Sequence, residues 1–216
     1  MKSLTDGRST RWQKHRDERR RELLRTVRHV VAEHGDDLSM DQISELSGTS
    51  KSVLYRYFTD RAGLQAAMGE WAMGVIVRSL DEATSAAAKM RTAGTGRQAA
   101  GVDGGTARAR ESLTSMVRAF VTLAATSPHV YRFCDTAVNR FAPQQTGGFF
   151  NSIAELLADR LDLADDRDRL WSAGAIGFVR AATEAWLSNP SRAEEFATDI
   201  SNWLWASLPA NLGVEQ

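Results

Sequence analysis

The chain has 216 residues, enough for one large domain or two small ones, and its 43% hydrophobic and 25% charged residues are those of a globular protein. Basic and acidic residues balance at 27 each, and no stretch approaches the roughly 18 uninterrupted apolar residues of a membrane span. One cysteine, Cys134, excludes an internal disulfide framework, and the polar, basic N-terminus lacks an apolar signal core, so we expect a cytoplasmic protein with no membrane partner.

The charge is unevenly placed. Residues 1–28 hold 10 Lys/Arg against 4 Asp/Glu, and residues 1–61 hold 13 against 10. A basic end on a neutral chain is the electrostatic footprint of a nucleic-acid-binding head on an acidic body. Residues 1–10 read as a solvated tail. Arg11–Arg21 read as a contact to the DNA backbone or as a minor-groove arm.

The first predicted helix covers 16–34, where Leu23, Leu24, Val27, Val30 and Val31 form a single apolar stripe and Gly35 follows as a stop. Ser39 and Gln42 have the spacing of a capping box for a short second helix, with Met40, Ile43 and Leu46 (or Ser47) on one face. Gly48 supplies a turn, and Thr49 or Ser50 caps a third helix over 51–58 with Leu54 and Phe58 as its inward pair. Three helices in this order make a helix-turn-helix head. The outward residues of the third are cationic, hydroxyl-bearing, aromatic or small, a mixture suited to phosphates and base edges.

The run G-T-S-K-S-V-L-Y-R-Y-F-T-D-R-A-G-L from Gly48 to Leu64 resembles the recognition-helix signature of the TetR family of bacterial transcriptional regulators, G-V-S-x-x-x-L-Y-x-Y-F followed by Lys or Arg. Gly48, Ser50, Leu54, Tyr55, Tyr57, Phe58 and Arg61 fit that pattern, and Thr49 departs from it. The resemblance covers about residues 16–70 strongly. It implies an all-α protein of about nine helices, with a DNA-binding head over 1–61 and a helical ligand-binding and dimerisation body over 62–216. In the head, Lys51, Ser52, Val53 and Arg56 would face the major-groove floor, Arg56 for guanine and Val53 for a thymine methyl, while Ser39, Ser50, Tyr55, Tyr57 and Arg61 would hold phosphates.

Beyond Arg61 the sequence predicts a linking helix over 61–70 and another from 71 to about 90, then a flexible glycine-rich loop over 92–106. Helices follow over 107–126, 129–141 after Pro128, and 149–161. Two long ones close the chain, 167–188 and 192–208. No segment alternates with period two, so no sheet is expected. The first of the long pair carries small residues every fourth position, Ala173, Gly177, Ala181 and Ala185; the second carries Phe196, Ile200, Trp203, Leu204 and Leu208 on one face. The family pairs subunits through its last two helices, so these imply a homodimer, which a palindromic operator also requires.

Catalytic constellations are absent from the residues: there is no H-E-x-x-H, no G-x-S-x-G and no paired cysteine, and the glycine-rich loop lacks the phosphate-binding pattern. We expect no enzyme, no metal and no cofactor. Asp165, Asp166 and Asp168 read as helix-start residues. Phe120, Tyr131, Phe133, Phe149, Trp171 and Phe178, with Arg180 as an anchor for an acidic head group, are the candidate lining of a ligand cavity that the family resemblance implies. The expected function is a repressor released from its operator by a mostly apolar small molecule, a lipid-derived acyl compound being the favoured class. The alternative is a ligand-binding helical dimer that docks a protein instead of DNA.

Overall fold

A computed structural model of the chain describes residues 6–93, 102–139, 149–163 and 165–208. Among them are nine α-helices and no strand: α1 (Asp6–His34), α2 (Met40–Ser47), α3 (Lys51–Phe58), α4 (Arg61–Ala93), α5 (Val102–Thr126), α6 (Pro128–Asn139), α7 (Phe149–Arg160), α8 (Asp166–Ser188) and α9 (Ala193–Ala206). The chain is all-α, and no described helix is long and apolar enough to cross a membrane.

Three boundaries differ from the sequence expectation, each for a physical reason. Helix α1 begins ten residues early. Its first turns carry no apolar stripe, yet they hold Arg8, Arg11, Gln13 and Lys14, which extend a helix readily, and contain no proline. Helix α4 runs unbroken where two helices are expected, because Leu64, Met68, Ala72, Ile76 and Leu80 form one buried stripe at four-residue spacing through the anticipated break. Helix α5 starts at Val102, so the expected loop is shorter at its C-terminal end; residues 94–101 lie outside the described residues. Glycines at 104 and 105 fall in the first turn, where they oppose a helix less than in its interior.

By packing, the chain divides into two compact units, one drawn from Met1–Gly69 and His129–Phe141 and the other from Glu70–Pro128 and Ala142–Gln216. The first therefore includes the start of α4 and, from the middle of the chain, α6.

In the first unit, Leu23, Leu24, Val27, Val30 and Val31 of α1 are buried together with Met40, Ile43, Leu54 and Phe58. The capping box forms as the spacing requires: Gln42 N donates to Ser39 Oγ at 3.3 Å and Ser39 N donates to Gln42 Oε1 at 2.9 Å. Gly48 takes φ +63°, and its N–H and that of Thr49 donate to Glu45 O and Ser44 O, closing the C-terminus of α2. This early closure leaves Leu46 exposed rather than on the inward face with Ile43. Asp60 caps α4, accepting from Gly63 N at 2.7 Å. Gly63 lies so close to the Phe58 carbonyl that a β-carbon would collide with it.

The second unit packs α5 along α9 and α7 along α8, with α5 also against α7 and α8. Its core includes Leu113, Val117, Phe120, Ile153, Leu157, Val179, Ile200 and Leu204. Asp165 accepts from Asp168 N at 2.8 Å, which makes it the N-cap of α8, as the acidic cluster predicts.

Candidate nucleic-acid interface

Helix α3 is held from below and open above. Leu54 and Phe58 are sealed into the head, and their four-residue spacing turns the rest of the helix outward. Lys51, Ser52, Tyr55 and Arg56 are exposed, while Val53 and Tyr57 are half-buried. The Ser50 and Ser52 hydroxyls lie 3.3 Å apart, and Ser50 occupies the N-cap position without a side-chain capping bond.

The cations of this face are arranged rather than free-floating. Lys51 Nζ lies 2.5 Å from Asp41 Oδ1 on α2 and over the Tyr55 ring at 5.9 Å. The hydrogen bond that Lys51 donates to the Asp41 carboxylate holds its pKa above the ordinary lysine range, so the ammonium stays charged at neutral pH. Arg56 lies over the Tyr57 ring at 5.1 Å. Ser39 accepts from Gln42 N, which leaves its O–H able to donate outward.

Arg61 stands apart from this set. Its guanidinium donates to Leu38 O at 3.0 Å and Asp36 O at 2.7 Å, and lies over the Phe133 ring at 4.9 Å. It ties α4 and α6 to the segment between α1 and α2, a role different from the phosphate contact expected for it. Gln65 reinforces the tie, donating to Phe133 O at 3.0 Å, and His129 Nδ1 lies 3.1 Å from Asp36 Oδ1.

A group that the sequence signature does not single out lies beside Arg56 and Tyr57. Trp12, His15, Arg16 and Arg19 of α1 line with them a cleft of about 490 Å³. The N-terminal segment is thus helical where it lines the cleft, not an extended arm. A helix is about 10–12 Å across and the minor groove about 6 Å wide, so of the two contacts expected of Arg11–Arg21 the geometry favours the backbone one.

The expected ligand residues are dispersed. Phe120 lines an apolar seam with Leu113, Val117, Ile153, Leu157, Val179 and others, but the seam encloses only about 20 Å³. Phe150, not on the expected list of rings, packs at 6.2 Å from Phe120, and Arg180 lies over Phe150 at 5.1 Å. Tyr131 and Phe133 are buried in the first unit, with the head. Trp171 donates to Ser207 Oγ at 3.2 Å, and Phe178 packs edge-on against Trp203 at 6.0 Å on the surface. The Phe149 side chain lies outside the described residues. A separate groove of about 400 Å³ runs between α4 and α5, lined by Trp71, Ser79, Ser115, Arg118, Thr122 and Thr126 among others.

The expected dimer residues also divide. Ala173, Gly177, Ala181 and Trp203 are exposed, and Leu170 joins them at 73% exposure. Ile200 and Leu204 are buried in their own subunit's core, against α5, so they are unavailable to a partner. Phe196 is covered by Trp186, ring on ring at 5.0 Å. Apolar spacing on one helix face cannot tell an inward residue from an intersubunit one, and here Ile200 and Leu204 turn inward while Trp203 stays exposed.

Comparison with known proteins agrees with the helix-turn-helix geometry. Residues 23–68 match the family model described as bacterial regulatory proteins, tetR family. The chain is 30% identical over 218 aligned positions to an HTH-type transcriptional regulator of Mycobacterium tuberculosis, in strain CDC 1551 / Oshkosh and equally in strain ATCC 25618 / H37Rv, covering 94% of this chain and 83% of the relative. Among solved structures, a tetR-family transcriptional regulator from Streptomyces coelicolor superposes with a TM-score of 0.59 at 16% identity, covering 91% of this chain and 86% of that one. A fatty acid degradation regulator, FadR, from Bacillus halodurans gives 0.50 at 15% identity, covering 88% and 95%.

Proposed function

The chain belongs to the TetR family of DNA-binding bacterial transcriptional regulators, and from that premise we propose a homodimeric repressor that releases a palindromic operator when it binds a mostly apolar effector. The observation that carries the reading is the division of α3 into a sealed pair, Leu54 and Phe58, and an open face bearing Lys51, Ser52, Val53, Tyr55 and Arg56. Arg56 offers the planar fork that pairs with guanine, and Val53 a methyl surface for thymine. Ser39, Ser50, Tyr55 and Tyr57 supply phosphate contacts that fix orientation. Arg61 acts behind them, by holding the head together.

One recognition helix reads only a few base pairs, so specificity requires a second head related by two-fold symmetry. The exposed small-residue face of α8, with Trp203 and Phe178 at its side, supports pairing through this surface. Helix backbones can approach closely where side chains are small.

Support for the effector is of two kinds. The seam around Phe120 is lined by apolar side chains alone, and the Bacillus halodurans relative is by its printed name a regulator of fatty acid degradation. We take a lipid-derived acyl compound as the effector class. At about 20 Å³ the seam holds no such ligand as it stands, so the chain would open between α5, α7 and α8. An effector that binds the opened, DNA-incompetent dimer more tightly shifts the population by no more than that difference in affinity.

Selection of bound fragments from a random DNA pool, at two salt concentrations, tests the reading. A palindromic consensus retained at the higher salt is the expected result, with its loss on adding a long-chain acyl compound. Binding that is non-specific at both salts, also after unfolding and refolding to strip bound ligand, would instead favour a head that docks a protein.

A further inference from the structure

Lys51 opens α3, where a cation is set against the positive end of the helix dipole. A carboxylate from the neighbouring helix offsets this. Asp41, in the first turn of α2, lies 2.5 Å from Lys51 Nζ, and the ammonium also sits over the Tyr55 ring at 5.9 Å. The turn between the two helices is itself clamped: Ser44 Oγ donates to Thr49 O at 2.7 Å, and Thr49 N donates to Ser44 O at 3.2 Å. Asp41 therefore reaches Lys51 from a fixed position. The other outward cation of α3, Arg56, has the Tyr57 ring beside it and no carboxylate among the described residues. Stability does not account for the difference. The Lys51 and Asp41 side chains are 55% and 66% exposed, and such pairs add little to a fold. A carboxylate beside the DNA-facing helix also repels phosphates, at a cost to affinity for every sequence.

We propose that Asp41 is a positioning residue for base selection, holding the Lys51 ammonium towards a guanine on the major-groove floor and keeping it from the phosphates. The proposal rests on the DNA-binding reading of α3. Lysine is a point charge on a flexible four-carbon stem, so an untethered Lys51 would follow the nearest phosphate on any duplex. An ammonium has three N–H donors. Asp41 takes one, and the Tyr55 ring lies against another side. The remaining donor has a fixed direction, and guanine O6 and N7 are the acceptors a lysine meets in the major groove. The same carboxylate discourages any phosphate from approaching the tethered ammonium. Selectivity then comes partly from a charge withheld from the backbone, which lowers affinity for the wrong sequences more than for the right one.

The test uses the full chain, its selected operator and an unrelated duplex of equal length, with Asp41→Asn, Asp41→Glu, Lys51→Met and the double variant Asp41→Asn/Lys51→Met. Both side chains are exposed, so folding, checked by circular dichroism, should be unaffected. Asp41→Asn should bind the unrelated duplex more tightly. Its slope of log affinity against log salt should steepen by about 2 per dimer, one phosphate gained by each freed Lys51, so the loss between 50 and 200 mM salt grows by roughly tenfold. The ratio of operator to unrelated affinity should fall by at least about fivefold, with selection relaxed at one guanine per half-site. Asp41→Glu still offers the ammonium a carboxylate and should keep the wild-type slope. Lys51→Met should lose preference for the same guanine, and adding Asp41→Asn to it should leave the slope where Lys51→Met alone sets it.

An unchanged ratio in Asp41→Asn, with a consensus selected by the wild-type protein, overturns the proposal and leaves the function standing. So does an equal steepening in the Lys51→Met background, which would make Asp41 a plain repulsive charge that acts without Lys51. Absence of any consensus from the wild-type protein would instead remove the function and this proposal with it.

Discussion

Arg56 and Arg61 are five residues apart, and both are arginines of the kind a signature assigns to DNA, yet they stand in opposite situations. Arg56 is exposed on α3 with only the Tyr57 ring beneath it. Arg61 spends its fork on the carbonyls of Asp36 and Leu38 and rests on Phe133. The two substitutions to alanine should therefore separate. Arg61→Ala should lower stability by about 2–3 kcal/mol in urea unfolding, because two charge-assisted bonds are lost from a part-buried site. Arg56→Ala should change stability by less than about 0.5 kcal/mol but abolish selection of the consensus. Equal stability of the two variants would remove the structural role given to Arg61. Nothing in the local sequence distinguishes these residues: the acceptors of Arg61 lie more than twenty positions away, at Asp36 and Leu38, and become its neighbours only when the chain folds.

At the scale of the helix, short-range chemistry was legible and long-range packing less so. The capping box at Ser39 and Gln42, the left-handed Gly48, the inward pair on α3 and the acidic cap of α8 all follow from residues within four positions of one another. The start of α1 did not, since amphipathic periodicity marks only those turns that cover a core, and residues 6–15 cover none. The continuity of α4 was missed for the reverse reason: a linking helix was expected to end near residue 70, but the buried stripe from Leu64 to Leu80 runs through that point. Ser39→Ala is a sharp probe of this level. Loss of the cap should destabilise the head by about 1 kcal/mol and, on the proposed phosphate contact of the same hydroxyl, weaken binding to all DNA sequences alike. A variant Ser39→Asp, which keeps the cap, should recover the stability and, by adding negative charge beside the backbone, not the affinity.

For the molecule as a whole, rings distributed along a sequence were a poor guide to a cavity. Tyr131 and Phe133 serve the head, Phe120 fills a closed seam, and Trp171 and Phe178 lie towards the surface. The small-residue stripe on α8 is exposed, as the proposed interface requires, whereas Ile200 and Leu204 of α9 are buried in the core of the chain. Ala181→Glu on that stripe should yield a folded monomer, seen by sedimentation velocity, that no longer selects a palindrome; a dimer retained at micromolar concentration would exclude this face. The composition of the head has a further outcome, in the order of synthesis. Its helix-turn-helix leaves the ribosome early, but α6, whose Phe133 anchors Arg61 and Gln65, follows about sixty residues after Gly69. At bacterial elongation rates that is an interval of roughly 3–12 s, during which Arg61 and Gln65 await Phe133 and the nascent head is open to chaperones and proteases. A head transplanted to another regulator by cutting after α4's first turns would remain in that unfinished state, so a working chimera has to carry α6 as well.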